Sequence, residues 1–337
     1  MLSKRLGQIV ALLFAIILYP QYTLAVDLKS LKEDYKRPLF VPFPQSAAYT
    51  PQRATLGKML FFDPRLSGAK DMNCVSCHNP SFGYEVPVET PIGAAKTRLA
   101  RQAPTLLNAA WVKPLFWDGR AKTLEEQAQG PITAPVEMNA KFDDIVETLE
   151  MIPEYTRWFD IVFPKRGISK ETILQAIATY ERTIVSGWSP FDRWIEGNED
   201  AISESAKRGF QIFNGKGLCA KCHSGWNFTD NEFHDIGVYT EDIGRGAIEA
   251  AYVKMQHAFK TPGLRNLIYR APFMHNGSLP DLDAVLAHYN SGGMERQSRS
   301  EHVRALHLSD GEIADLKAFL LTLTAERIEE PMPTLPN

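Results

Sequence analysis

The sequence predicts a mainly α protein made of two related modules, on three observations. The stretch APTLLNAAWVKPLFWDGRAKTL (103–124) recurs as TPGLRNLIYRAPFMHNGSLPDL (261–282). Pro104, Leu106, Asn108, Pro114, Gly119 and Leu124 are matched without a gap, 158 residues later, by Pro262, Leu264, Asn266, Pro272, Gly277 and Leu282. Upstream of each copy stands a C-x-x-C-H box, Cys74 to His78 and Cys219 to His223. Elsewhere apolar residues recur at helical spacing, and no stretch alternates for long enough to make an extended strand. In a duplicated chain, function is expected where the copies differ.

The 337 residues, 44% of them hydrophobic, suffice for one large core or two of about 150 residues each, and the repeat favours two. Residues 1–25 carry Lys4 and Arg5, an apolar run from Ile9 to Tyr19, and a small-residue site ending at Ala25, the pattern of a secretory signal peptide. That run is shorter than the roughly 20 residues a bilayer span needs, and no later stretch is long and apolar enough. The expectation is a periplasmic protein, free of the membrane after cleavage, with modules at 26–187 and 188–337. Loss of Lys4 and Arg5 takes the net charge from −3 to −5, which argues against a nucleic-acid partner.

Exported chains often oxidise paired cysteines to disulfides, but a structural bridge needs no histidine directly after the pair. C-x-x-C-H puts two thiols one turn apart, able to add to the vinyl groups of a haem, with an imidazole placed to bind the iron. A four-thiolate zinc site would leave both histidines unexplained, and 141 residues separate Cys77 from Cys219. The expected cofactors are therefore two covalently bound haems c. Cys74 and Cys77 anchor one and Cys219 and Cys222 the other, with His78 and His223 as proximal ligands.

In chain order, Tyr49–Leu66 places Leu56, Met59 and Leu60 on one helical face and stops before Pro64. A Pro- and Gly-rich loop, Asn79–Ala103, follows the first box. From Lys141 to Ser186 the spacing of Ile145, Leu149, Ile173, Ile177, Tyr180 and Ile184 is helical, broken near Pro153 and Pro164, which predicts two helices. Trp188–Asp200 reads as a crossover. Ser203 caps a helix with Ala206, Phe210 and Phe213 inward, the counterpart of the one before the first box. Gly225–Met255 reads as a long polar loop, then come the second copy and a short helix to Tyr289. Ser309 caps a final helix with Ile313, Leu316, Phe319, Leu320 and Leu323 inward, and the tail PMPTLPN reads as disordered.

What fills the upper axial face of a haem iron decides between electron transfer and reaction with a small oxidant. Of the eight histidines only His78 precedes residue 223, and the loop 79–103 holds no Met, so the first iron is expected to be open. Met72, Met138 and Met151 are the remaining donors in that half. At the same offset Tyr289 falls on Pro131: a phenol that can bind ferric iron stands where the first copy has no donor. Periodicity alone would equally make Tyr289 a buried aromatic of its helix. Near the open face, Gln127, Pro131 and Glu137 share one proline-interrupted segment. Splitting a peroxide needs a group that moves a proton from the near oxygen to the leaving one, which the Glu137 carboxylate can do; it could also be a surface charge. Trp117 is an oxidisable indole, or simply core.

FWDGR (116–120), Q-x-x-x-P-x-x-x-P-V-E-M (127–138), both boxes and FKTPGLRN…PFMHNG together resemble the bacterial di-haem cytochrome c peroxidase/MauG family over nearly the whole mature chain. The resemblance implies two cytochrome c-like domains whose haems face a shared interface. Hydrogen peroxide meets the N-terminal haem, the C-terminal haem is its electron partner, and Trp117 lies between. It also implies Glu137 as acid/base, Gln127 orienting peroxide and Pro131 over the open iron. The peroxidase branch takes electrons from a small cytochrome c or cupredoxin. It has a Met as upper ligand of the second haem and often a His in the loop after the first box. Tyr289, in HYNSGG, and the His-free loop look like the MauG branch. There the two haems hold two oxidising equivalents that complete tryptophan tryptophylquinone in methylamine dehydrogenase, so the implied partner is a quinoprotein dehydrogenase precursor. A non-catalytic electron carrier would need both irons six-coordinate. Two departures stand out. Gly217 replaces the surface Trp of that branch, leaving Trp226 or Trp188 as substitutes. The family's calcium positions fall on Gln102, Arg270 and Pro272, where an Arg disfavours a cation.

Overall fold

The computed structural model describes residues 28–327 and 329–337; the leader expected at 1–25 lies outside the described residues. Ten α-helices are described, with one antiparallel pair of two-residue strands, β1 (Phe233–His234) and β2 (Phe259–Lys260). The chain is mainly α, as its periodicity implies.

Helix α1 (Leu28–Glu33) precedes α2 (Pro51–Phe62), which starts where Pro51 follows Thr50, whose hydroxyl accepts from the Arg53 N–H. Helix α2 buries Leu56, Met59 and Leu60 against α6 (Lys170–Thr183). Where two helices were expected between 141 and 186 there are three: α4 (Phe142–Glu150), α5 (Pro153–Val162) and α6. Pro153 begins a helix instead of only ending one, because a first-turn N–H needs no intrahelical partner. The expected crossover at 188–200 contains α7 (Pro190–Ile195), whose Phe191, Trp194 and Ile195 are core residues. Helix α8 (Glu204–Asn214), capped by Ser203, packs on α10 (Asp310–Leu321), which the Ser309/Glu312 capping box opens.

Both helix pairs cross through a glycine. A Cβ on Gly57 would stand 1.9 Å from the Ala176 carbonyl oxygen, and one on Gly209 would stand 2.0 Å from that of Asp315. The repeat is reproduced residue for residue. Helices α3 (Leu124–Thr133) and α9 (Leu282–Ser291) begin and end at the 158 offset. Asn108 and Asn266 are left-handed at φ 62° and 56°, and the bridges Leu115–Ala121 and Phe273–Leu279 correspond.

Among the described residues there are two large cores and a small cluster of Ala109, Leu115, Ala121, Leu124 and Ala178, and segments from either end of the described chain cross between the large ones. Leu28, Leu31 and Tyr35 pack in the second core with Phe191, Phe210 and Phe228. The tail is ordered: Leu335 packs on the first core, Arg65 donates to the Pro336 carbonyl at 2.8 Å, and Glu330 pairs with Lys58. Low apolar content suggested disorder; one leucine and two cationic partners on the first module are enough to hold it.

Candidate active site

Each box forms a single 3₁₀ turn, Cys74–Ser76 or Cys219–Lys221, which sets both thiols and the following histidine on one cavity wall. In both turns the histidine N–H bonds back to the first cysteine's carbonyl at 2.8 Å. His78 Nδ1 donates to the Tyr84 carbonyl at 3.1 Å and His223 Nδ1 to that of Phe228 at 2.9 Å. That bond fixes the tautomer and leaves Nε2 as the free donor atom, as a metal-ligating imidazole requires. Burial holds both rings below the usual imidazole range, hence neutral. The two thiol pairs line separate cavities, so a shared four-thiolate zinc site does not form. Free, half-buried thiols beside an oriented imidazole fit a haem c in each.

The first cavity, of about 630 Å³, takes its far wall from Gln127, Pro131 and Glu137. Helix α3 aims the first two. Glu137 follows in a tight return, its N–H on the Ala134 carbonyl at 3.0 Å and its own carbonyl held by the Ala94 N–H of the long loop at 2.8 Å. Burial raises the Glu137 carboxyl above its ordinary range, and the Arg120 charge opposes this more weakly. Met72 and Met138 also reach this cavity, whereas Met151 is 69% exposed.

The second cavity is narrower, about 170 Å³, and Tyr289 stands in its wall where Pro131 stands in the first. Burial drives the Tyr289 phenol well above its usual value. The other donors nearby on the chain turn elsewhere: His288 Nε2 engages the Ile236 carbonyl at 2.9 Å, and Met294 is 41% exposed. Met274, which the sequence reading did not single out, does line the cavity.

Trp117 borders both cavities, its indole N–H donating to the Gln102 carbonyl at 2.7 Å. Its ring lies 6.4 Å from that of His275, edge to face, and His275 stacks on Phe259 at 3.6 Å. His275 occupies the Trp117 position of the second copy, so the repeat offset alone could have pointed to it. Arg101 clamps the two halves by bonding Asp118 at 2.6 Å and Asp242 at 2.6 Å. Glu181, also passed over, lines the first cavity from α6.

The side chains at the calcium positions are tied into the protein's own bonds. Gln102 Nε2 donates to the Val86 and Val88 carbonyls at 3.1 and 2.9 Å, and Oε1 accepts one bond, from the Ala103 N–H at 3.0 Å, which leaves it a second lone pair. Arg270 sends a buried guanidinium to Glu85 at 2.8 Å and to the Gly263 carbonyl at 2.7 Å. A divalent ion there would have the remaining Gln102 Oε1 lone pair and the carbonyls of Arg270 and Pro272 as its protein ligands. Gly217 sits where a Cβ would lie 2.8 Å from the Ile212 carbonyl oxygen, so a large side chain has no room. Trp226 meets Trp111 edge to face at 4.8 Å, with the guanidinium groups of Arg37 and Arg265 each 5.4 Å from its ring. Trp188 is 54% exposed, beside the same Arg37 at 5.6 Å.

Residues 51–200 match the family described as di-haem cytochrome c peroxidase. The chain is 47% identical to the methylamine utilization protein MauG of Methylorubrum extorquens, over 92% of this chain and 89% of that one. Against the cytochrome-c peroxidase IdrP1 of a Pseudomonas species it is 35% identical, over 88% of this chain and 87% of that one. Among solved structures it is similar to a MauG-like protein associated with microbial copper homeostasis, with a TM-score of 0.81 and 28% identity, covering 87% of this chain and 95% of the other.

Proposed function

The chain belongs to the di-haem cytochrome c peroxidase/MauG family, and from that premise we propose that it is a periplasmic MauG-type enzyme that uses hydrogen peroxide to oxidise tryptophans of a quinoprotein dehydrogenase precursor. Membership of the family makes it a di-haem oxidoreductase of peroxidase type. The higher identity to MauG favours that branch. The observation that carries the reading is the pair Pro131 and Tyr289, one position on two equivalent helices, each lining its own cavity.

Bound haem c supplies the iron redox chemistry; the chain supplies attachment, orientation and proton handling. The thiols of Cys74, Cys77, Cys219 and Cys222 would hold the two groups, and His78 and His223 would offer their Nε2 atoms to the irons. Tyr289 would offer its Oη to the group held in the second cavity, whereas Pro131, at the same position of the first, has no side-chain donor to offer. Glu137 Oε takes a proton from peroxide and returns it to the leaving oxygen, its burial raising the carboxylate's affinity for that proton. Gln127 orients the oxidant. Trp117, in both cavity walls, connects the two centres. Residues 1–25 support export, and no described helix is long and apolar enough to cross a membrane.

Gly217 favours a second reading, a peroxidase drawing electrons from a small cytochrome c or cupredoxin, because it removes the surface indole of the MauG branch. Two guanidinium groups over Trp226 also oppose placing a positive hole there, which leaves exposed Trp188 as the better exit. The deciding experiment gives the purified holoprotein peroxide with either a precursor dehydrogenase or reduced cytochrome c. Quinone formation in the precursor with slow cytochrome turnover supports the first reading; rapid cytochrome oxidation with no quinone overturns it. Two low-spin ferric haems with no high-spin signal would overturn both and leave an electron carrier.

A further inference from the structure

One acidic side chain in the first cavity is unused by the chemistry above. Glu181, on α6, is 4% exposed and lines the same cavity as His78, Gln127 and Glu137. Its Oε2 is buried and has no hydrogen-bond partner. The adjacent cation does not serve it, since Arg182 forks onto Glu125 of α3 at 2.9 and 3.0 Å. From the box, Cys74 faces it with a thiol that ceases to titrate once it carries the cofactor. Across the α2–α6 contact the charges of Lys58 and Glu330 satisfy each other, and Tyr180 turns its hydroxyl toward Glu330. Glu137 and Arg120 stand in other walls of the cavity.

A buried carboxylate with neither hydrogen bond nor free cation is costly, so the neutral acid is favoured. Burial pushes Glu181 up to about 8, Arg182 opposing and Glu125 adding to the shift. A group poised there responds to any charge that appears beside it. A unit charge in the same cavity changes its proton affinity by about tenfold or more at an effective dielectric of roughly 20.

We propose that Glu181 is the proton-coupling group of the first centre. It takes one proton from solvent water when that centre gains an electron from its donor or from the second centre, and releases it when the electron leaves. The carboxylate plus one proton becomes the acid as one electron arrives, so the cavity's net charge is unchanged. This rests on the reading that the cavity holds a haem.

The test is the midpoint potential of the first haem in the intact holoprotein, followed by spectroelectrochemistry from about pH 6 to 10. In the wild type, raising the pH removes the proton and disfavours the electron. The potential should fall by up to tenfold in equilibrium constant per pH unit, which is 59 mV for one electron. In Glu181→Gln this fall should vanish and the potential should stay on the wild type's low-pH limb, because the amide imitates the neutral acid. Glu137→Gln should keep the fall. An unchanged fall in Glu181→Gln carrying both haems, or its loss in Glu137→Gln instead, overturns the proposal. Should Glu181→Gln not fold, infrared difference spectra of the wild type decide: a carboxylic-acid carbonyl band gained on reduction supports it, and no such band overturns it. A wild-type protein lacking two haems by absorbance would sink the functional reading, which separates the two failures.

Discussion

Gly57→Ala places a methyl group where the two longest helices of the first module touch. The new Cβ would lie 1.9 Å from the Ala176 carbonyl oxygen and 2.9 Å from Tyr180 Cβ, while ordinary contact begins at 3.4 Å, so α2 and α6 must part by about 1.5 Å. A helix carbonyl cannot swing aside as a flexible side chain can. Overpacking of this kind costs about 1–3 kcal/mol, and parting two helices by that much takes the upper part of the range, about 2–3; against the roughly 1 kcal/mol that Ala gains over Gly in a helix interior, a net loss of about 1–2 kcal/mol is expected. The two effects have opposite signs, which makes the test sharp. Helix α2 runs toward the box at Cys74 and α6 carries Glu181, so the disturbance should reach the first cavity. Thermal unfolding followed at the Soret bands should show the first centre's native spectrum lost at lower temperature and the second's unchanged. Gly209→Ala should do the converse, its Cβ lying 2.0 Å from the Asp315 carbonyl oxygen. A Gly57→Ala protein as stable as wild type, or more so, would refute the close crossing.

Glu137→Gln should retain both haems yet slow peroxide-dependent oxidation by about 10²–10⁴-fold in stopped-flow assays. Burial holds the Glu137 carboxyl above its ordinary range, so the base form is gained late as pH rises. The wild-type rate should climb through that raised value, and the variant should lack the limb; identical pH profiles would remove Glu137 from the chemistry. Tyr289→Phe should abolish the tyrosinate–iron bands in resonance Raman spectra, and their persistence would point to another ligand. Deleting residues 330–337 should lower the unfolding temperature of the first module by removing the Leu335 contact and the Arg65 and Lys58 partners.

The parts of the fold visible in advance are those written in local chemistry. The boxes are contiguous, the caps at Ser203 and Ser309 lie beside their helices, and the repeat needs no gap, so α3 and α9 could be aligned before any coordinates. Pro131 and Tyr289 were opposed by counting alone. What escaped depends on distant partners. Helix α7 looked like a linker because six residues cannot display periodicity, though Phe191 and Trp194 are wholly buried. The tail looked free because its anchors, Arg65 and Lys58, lie about 270 residues earlier. Glu181 sits beside an arginine in sequence, which suggests a neutralised pair; only the fold reveals that Arg182 is turned to Glu125.

The crossed ends work as a clasp. Residues 188–337 taken alone would lack the Tyr35 ring, which sits 5.1 Å from Phe228 and 5.3 Å from Phe210, and would open a ring-sized hole among aromatics. Residues 28–187 alone would lose the leucine and the carbonyl that cover α2 and Arg65. Each half thus borrows part of its packing from the other, so the two cavities are tied together at both margins as well as through Trp117, which lines both.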